Sequence, residues 1–158
     1  MQAIVCVSRS WGIGRDGQLL FRISADLKRF RALTSGKTVL YGRKTLLTFP
    51  GARPLPNRRN VVLSRDLPAG GGLLVARSIP EALALAGEDA VVIGGASVYR
   101  ALLCQCDRVF VTQVDADPPA DTFFPDLDAD PRFRAACEGP WLEEGGLRFR
   151  YVDYVSVR

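Results

Sequence analysis

Residues 90–103, AVVIGGASVYRALL, limit the possible fold more than any other stretch of this chain. An apolar run of strand length meets Gly94 and Gly95, and a helix bearing Val98, Tyr99, Leu102 and Leu103 follows at once. An unbroken run of that kind suits a strand buried on both faces, inside a parallel sheet flanked by helices. Adjacent glycines let the backbone turn sharply and approach a ligand closely, with the helix N-terminus facing it. The pattern recurs along the chain. Residues 3–7 (AIVCV), 38–42 (TVLYG) and 60–64 (NVVLS) are apolar runs, 73–76 is a short strand, and 108–114 (RVFVTQV) alternates. Ser78, with Glu81 three residues on, is a capping box for a helix reaching about Ala86. Residues 133–137 and 147–157, joined through Gly145 and Gly146, are predicted to close the sheet as an antiparallel hairpin.

Bulk properties remove several classes of chemistry. The chain has 158 residues, 47% of them hydrophobic, which suits one domain with a real core. Histidine is absent, so His triads and His-based zinc sites are excluded, and proton chemistry falls to Asp, Glu, Cys, Tyr, Lys or water. A net charge of +4 favours anionic ligands, but no nucleic-acid motif or long basic run accompanies it. Cys6, Cys104, Cys106 and Cys137 include no C-x-x-C pair and are predicted to be small buried hydrophobes in a reducing compartment. The N-terminus carries no basic region of a signal peptide, and no stretch reaches membrane-spanning length.

Residues 12–34 carry the best candidates for chemistry. Gly12, Gly14 and Gly17 match a dinucleotide fingerprint in form only. Residues 18–23 separate them from the next helix, and the following strand ends at Arg43 rather than at an acid. A glycine-hinged loop over a pocket fits better. Ser24 is predicted to N-cap a helix with apolar positions Leu27, Phe30 and Leu33, and Asp26 borders that stripe. Asp26 is either a solvated first-turn acid or a partly buried carboxylate gripping a polar ligand. The junction at Gly42, Arg43, Lys44 and Thr45 is either an anion site or a basic turn. Residues 49–60 form a rigid proline-containing loop with Arg53, Arg58 and Arg59. Asp126, Asp128 and Asp130 open like a calcium loop, but Pro131 and Cys137 occupy its glycine and closing-glutamate positions, which excludes an EF-hand.

The segments AIVCVSRSWGIGRDGQL, SADLKRFRALT, VLYGRKT, RPLPNRRNVVLSR, VVIGGASVY and VTQVDADPPADTFFPD, in that order and spacing, resemble the dihydrofolate reductase family over nearly the full length. The resemblance implies a three-layer α/β/α fold: a mixed, mainly parallel eight-stranded sheet, four flanking helices and a C-terminal antiparallel pair. Residues 38–88 would form an adenosine-binding subdomain. The reaction implied is hydride transfer from NADPH to C6 of 7,8-dihydrofolate, with a proton delivered to N5. The protein would be a cytoplasmic monomer that binds small molecules, antifolate inhibitors among them, and neither nucleic acid, membrane nor metal.

The resemblance also assigns residues. Asp26 would bond the 2-amino group and N3 of the pteridine, with Thr112 hydrogen-bonded to it and Arg58 pairing with the glutamate tail. Ile4, Val5, Leu20, Leu27, Phe30, Thr48, Phe49, Leu55 and Ile93 would line the substrate pocket. Gly42, Arg43, Lys44, Thr45, Gly95, Ala96, Ser97 and Val98 would hold the pyrophosphate, and Arg43, Leu63, Ser64, Arg65 and Arg77 the 2′-phosphorylated ribose. Cys6, Ile13, Gly14, Leu19, Ile93, Gly94 and Tyr99 would flank the nicotinamide; Leu19, Phe21 and Tyr99 would join Asp26 and Thr112 at the reacting centre. Asp121 and Thr122 would latch the loop of residues 12–23, and the Gly94-Gly95 peptide would be cis. Three departures stand out: Phe21 in place of the usual Trp, and Leu20 and Ser24 in place of prolines. Two other readings are a same-fold pyrimidine reductase of riboflavin synthesis, with no evident use for both Asp26 and Arg58, and a non-catalytic NADPH-binding paralogue.

Overall fold

In the computed structural model, which describes residues 1–157, the apolar runs become strands. In chain order the elements are β1 (Gln2–Val7), β2 (Gly12–Arg15), β3 (Gln18–Leu19), α1 (Ser24–Thr34), β4 (Thr38–Gly42), α2 (Arg43–Leu46), β5 (Arg59–Leu63) and β6 (Leu73–Ala76). They continue with α3 (Ile79–Ala86), β7 (Val91–Gly94), α4 (Ala96–Leu102), β8 (Arg108–Val114), β9 (Thr122–Phe123), β10 (Phe133–Glu138), β11 (Leu142–Glu144) and β12 (Leu147–Ser156).

The main sheet runs β10-β12-β8-β1-β7-β4-β5-β6. Strands β8, β1, β7, β4, β5 and β6 are parallel to their neighbours, and β12 joins β8 antiparallel. Strands β10 and β11 both pair antiparallel with β12, one at each end of it. They are the two halves of one edge strand interrupted by residues 139–141, where Pro140 has no N–H to give to a ladder. Counted so, the sheet is eight strands wide. The expected closing hairpin is thus an antiparallel pair whose outer strand is broken, with a further register shift between Ala135 and Cys137.

Alternation along the strands sorts side chains to two faces. Val5, Val7, Leu40, Val61, Val92 and Val111 pack with Ala82 and Ala86 of α3 and with Val98, Tyr99 and Leu102 of α4. On the other face, Val39, Tyr41 and Val62 pack with Leu46 of α2, and Val114 and Phe149 pack with Ile23 and Ala25 at the start of α1. The result is three layers with α3 and α4 on one side and α1 and α2 on the other. Central strands covered on both faces read as continuous apolar runs, which is why they were recognisable.

Several expectations are corrected. Residues 12–17, expected as a glycine-hinged loop, have regular structure. They form strand β2 and the turn into β3, and β9 pairs with β2 to make a small three-stranded sheet. Asp16 and Gly17, at φ 52° and 75°, are the two central residues of the turn between Arg15 and Gln18, where an Asp-Gly pair is favoured. Strand β9 lies within residues 115–131, an acidic, proline-rich stretch whose composition suits a loop. The helix after Gly42 is only four residues long. Of the cysteines, Cys106 alone is buried; Cys6 is partly buried, and Cys104 and Cys137 are exposed. Exposure of Cys137 follows from its place on the outermost strand of the sheet.

Candidate active site

Six parallel strands point their carboxyl ends to one edge of the sheet, which is where open α/β sheets bind ligands. The register sets Cys6 opposite Thr112, Tyr41 opposite Gly94, Gly42 opposite Leu63, and Leu63 opposite Ala76. At strand spacing, the row from β8 to β6 is roughly 24 Å long. Thr112 and Cys6 stand at one end, Gly94 and Gly42 in the middle, and Ser64 and Arg77 at the other.

Helix α1 brings Asp26 to the first end of that row. Thr112 Oγ1 donates to Asp26 Oδ1 at 2.5 Å, joining residues 86 apart in sequence. Burial raises the Asp26 pKa above the usual carboxylate value; Thr112, Arg29 and Cys6 pull the other way without cancelling the rise. The Cys6 thiol is itself pushed well up, first by burial and then by Asp26. Cys6, expected beside the nicotinamide, also interacts with the Asp26 carboxylate. Arg29 lies with its guanidinium 4.1 Å from the centre of the Tyr151 ring and 3.5 Å from Asp153. Neither Arg29 nor Tyr151 was singled out from the sequence, and nothing in their local pattern marks them.

Ser24 is not the N-cap. Ile23 holds that position with extended backbone, φ −116° and ψ 119°, and has no acceptor to offer. Glu144, on β11, takes over: its two carboxylate oxygens accept from the Ser24 N–H at 2.6 Å and the Ala25 N–H at 3.1 Å. The apolar stripe of α1 also differs from expectation. Thr34 is its sole buried residue, Leu27 is 45% exposed, and Phe30 and Leu33 are half-buried, so the stripe faces a cleft rather than the core.

Across that cleft, Phe49, Leu55 and Ile93 lean against the core around Tyr41 and Leu46, and Phe49 meets Tyr41 edge-on at 5.1 Å. Leu20 and Phe21 are half-buried, and Leu19 is exposed. Thr48 Oγ1 donates to the Thr45 carbonyl at 2.6 Å. Arg58 is fixed from two sides, its Nε donating to Thr34 Oγ1 at 2.9 Å and a terminal nitrogen to the Pro56 carbonyl at 2.9 Å, with the Phe30 ring 5.7 Å away. Among the described residues it has no carboxylate partner, and burial and Arg31 lower its pKa from the ordinary guanidinium value. Strand alternation sends Val5 away from the cleft and leaves Ile4 on the same face of β1 as Cys6. Val5 packs in the α3–α4 core, and Ile4 gives its carbonyl to the buried Tyr99 hydroxyl at 2.6 Å.

In the middle of the row the Gly94-Gly95 peptide is cis. Gly94 has φ 150°, and a Cβ there would lie 2.7 Å from Thr45 Oγ1, so only glycine lets β7 and α2 approach this closely. A Cβ on Gly42 would likewise meet Val98 at 3.1 Å. Ala96 is half-buried, while Ser97, Arg43, Lys44 and Arg65 are exposed; among the described residues these three cations form no ion pair. Arg77 donates to the Ser64 carbonyl at 3.2 Å. The Ser64 hydroxyl accepts from the Leu67 N–H at 3.1 Å and donates to Asp66 at 3.3 Å, while Leu63 is half-buried. At the small sheet, Asp121 Oδ2 accepts from the Asp16 N–H at 2.9 Å, the Asp121 N–H donates to Gly14 O at 3.0 Å, and Thr122 Oγ1 donates to Asp121. Ile13 is half-buried against the core.

A sequence model of the family described as "Dihydrofolate reductase" matches residues 1–154. Dihydrofolate reductase type 3 of Salmonella typhimurium is 44% identical over 117 residues, 72% of this chain and 71% of that one. A bifunctional dihydrofolate reductase-thymidylate synthase of Arabidopsis thaliana is 33% identical over 179 residues; the match takes in 99% of this chain and 32% of that much longer protein. The solved structure of dihydrofolate reductase from Enterococcus faecalis, complexed with NADP(H) and RAB-propyl, superposes with a TM-score of 0.87 at 31% identity, covering 99% of this chain and 96% of that one. With the Asp26–Thr112 pair and the paired glycines at one sheet edge, these matches make the chain a member of the dihydrofolate reductase family, an oxidoreductase that reduces dihydrofolate with NADPH.

Proposed function

We propose that Asp26 holds the pterin and sets the proton supply for its reduction, and that residues 38–88 hold the adenosine end of the cofactor. The observation that carries this reading is a partly buried carboxylate of raised pKa, fixed by Thr112 beside an exposed apolar helix face. A carboxylate offers two acceptor oxygens in one plane, which matches two parallel N–H donors on a flat nitrogen heterocycle. Leu27, Phe30, Phe49, Leu55 and Ile93 would exclude water from the ring faces, and Arg58 would pair with the carboxylate of the substrate tail. Thr112 holds the carboxylate in place whichever protonation state it adopts.

The residues at the other end fit NADPH. The close approach at Gly94 leaves room for backbone rather than side chain, and Arg43, Lys44 and Arg65 are cations without ion-pair partners among the described residues. Arg43 and Lys44 would meet the pyrophosphate, and Arg65 and Arg77 the 2′-phosphate. When bound, NADPH supplies the hydride. Asp121 and Thr122 pin the β2–β3 hairpin that would shield the nicotinamide. Phe21 offers no N–H for holding water, so the proton route would run through water positioned by Asp26.

This reading carries with it a cytoplasmic monomer that acts on small molecules, with antifolates as competitors of the substrate and no nucleic-acid or membrane partner. Four cysteines with no C-x-x-C pair suit a reducing compartment, and among the described residues no helix is long and apolar enough to cross a membrane. The direct test follows NADPH absorbance with and without dihydrofolate. Oxidation that depends on dihydrofolate is expected. Cofactor binding without turnover would overturn the reading in favour of a non-catalytic paralogue.

A further inference from the structure

Asp26 stands third in α1, a position from which a short carboxylate can fold back onto the unpaired N–H groups of its own first turn. In this chain the first two of those groups are already taken. The Ser24 and Ala25 N–H groups both donate to Glu144, 120 and 119 residues away, at the Gly145–Gly146 end of the outer strand. Ser24 matters here because a proline at that position would have no N–H to give. We infer that Glu144 is a positioning residue for the reduction: by occupying the N-terminus of α1 it keeps the Asp26 carboxylate turned towards Thr112 and the substrate cleft.

The inference rests on the reading of Asp26 given above. Groups of every neighbouring element bear on the same spot: Cys6 from β1, Thr112 from β8, Arg29 from α1, Tyr151 from β12 and Glu144 from β11. Without Glu144, two free donors at the helix end compete for the Asp26 carboxylate. A carboxylate drawn to them is better hydrated and hydrogen-bonded, and its pKa falls. Fewer molecules then present it to the pterin.

The test is steady-state kinetics across pH on Glu144→Ala, Glu144→Gln and Ser24→Pro, with Asp26→Asn alongside. Glu144→Ala should raise KM for dihydrofolate about fivefold, as expected for one lost helix cap, with a smaller change in kcat. Its pH–activity limb should move to lower pH. Glu144→Gln, which keeps one acceptor, should fall between it and the parent. Ser24→Pro deletes one donor while leaving a residue suited to the first helical position, and the extended Ile23 before it already has the backbone that precedes proline. It should raise KM modestly alone, by loosening the hold of Glu144, and should recover part of the loss when combined with Glu144→Ala, because one competing donor is then gone. Lower melting temperatures with unchanged KM and pH limb in these variants, while Asp26→Asn loses activity, would overturn the role of Glu144 alone. Retained activity in Asp26→Asn would remove both readings. If Glu144→Ala fails to fold, Glu144→Gln and Ser24→Pro decide the matter by the same criteria.

Discussion

Helices α1 and α3 solve the same local problem in opposite ways. Helix α3 is capped from its own sequence: Ser78 Oγ accepts from the Glu81 N–H at 3.3 Å, and the Glu81 carboxylate reaches back to the Arg77 N–H at 3.0 Å. It buries Ala82 and Ala86 against the sheet. Helix α1 has no local side-chain cap, buries Thr34 alone, and leaves Leu27 facing out. It is held by distant groups instead: Glu144 at its start, Thr112 on Asp26, and Arg58 on the Thr34 hydroxyl. An element that only stabilises the fold can be encoded where it stands. One that carries a site leaves its apolar face for a ligand, so tertiary contacts must hold it.

The strongest way to break this contrast is Asp26→Asn. Loss of the carboxylate should lower kcat/KM at neutral pH by about 10²–10⁴-fold, the usual contribution of a positioned acid–base group, with partial recovery in acid. Stability should move the other way. A carboxyl group whose folded-state pKa is raised above its unfolded value favours the folded state below the unfolded pKa, and that contribution is lost as pH rises through the folded value. Asn has no charge to bury, so the variant should melt higher than the parent at neutral pH and gain nothing below pH 3.8. Thermal melts at the two pH values check the sign. A variant less stable and still active at pH 7 would make Asp26 an ordinary helix residue.

The same contrast explains which parts were legible in the sequence. Strands β1, β4, β5 and β7 are covered on both faces, and their unbroken apolar runs say so. The capping box at Ser78 and the Gly94-Gly95 junction are local patterns. Asp16 and Gly17 were a legible turn, hidden by the wider glycine spacing around them. Glu144 left no trace, because its donors lie 120 residues away and a Glu before two glycines looks like any turn. The period of Leu27, Phe30 and Leu33 gives an apolar face but not what covers it. Nor did the sequence indicate that Cys6 faces Asp26, which depends on the register of β1 with β8.

Paired substitutions on the two helices sharpen the point. Leu27→Ala, at an exposed position, should leave stability within about 0.5 kcal/mol while lowering kcat/KM for dihydrofolate by about tenfold or more, because a pocket contact is lost. Ala82→Leu, at a fully buried position on α3, should do the reverse. Overpacking there costs about 1–3 kcal/mol, and the kinetic constants of the folded enzyme should stay near those of the parent. Denaturant titration beside steady-state kinetics separates the two. A stability loss in Leu27→Ala equal to that in Ala82→Leu would mean that α1 packs as a core helix after all.

The smallest effect tests the independence of α3 most directly. Ser78→Ala removes the acceptor for the Glu81 N–H and should cost about 1 kcal/mol, or roughly 2–4 °C in melting temperature for a chain of this size. KM for dihydrofolate should not change, since α3 packs on β4, β5 and β6 and supplies no group to the Asp26 cluster. KM for NADPH is the stricter reading, because Arg77 immediately precedes the cap. Its guanidinium is placed by the Ser64 carbonyl rather than by Ser78, so this constant too should stay within about twofold while the cap alone is lost. A larger rise would show that the cap orients Arg77. The adenosine end of the cleft would then depend on a helix start just as the pterin end does, with its cap read from the adjoining sequence instead of from Glu144.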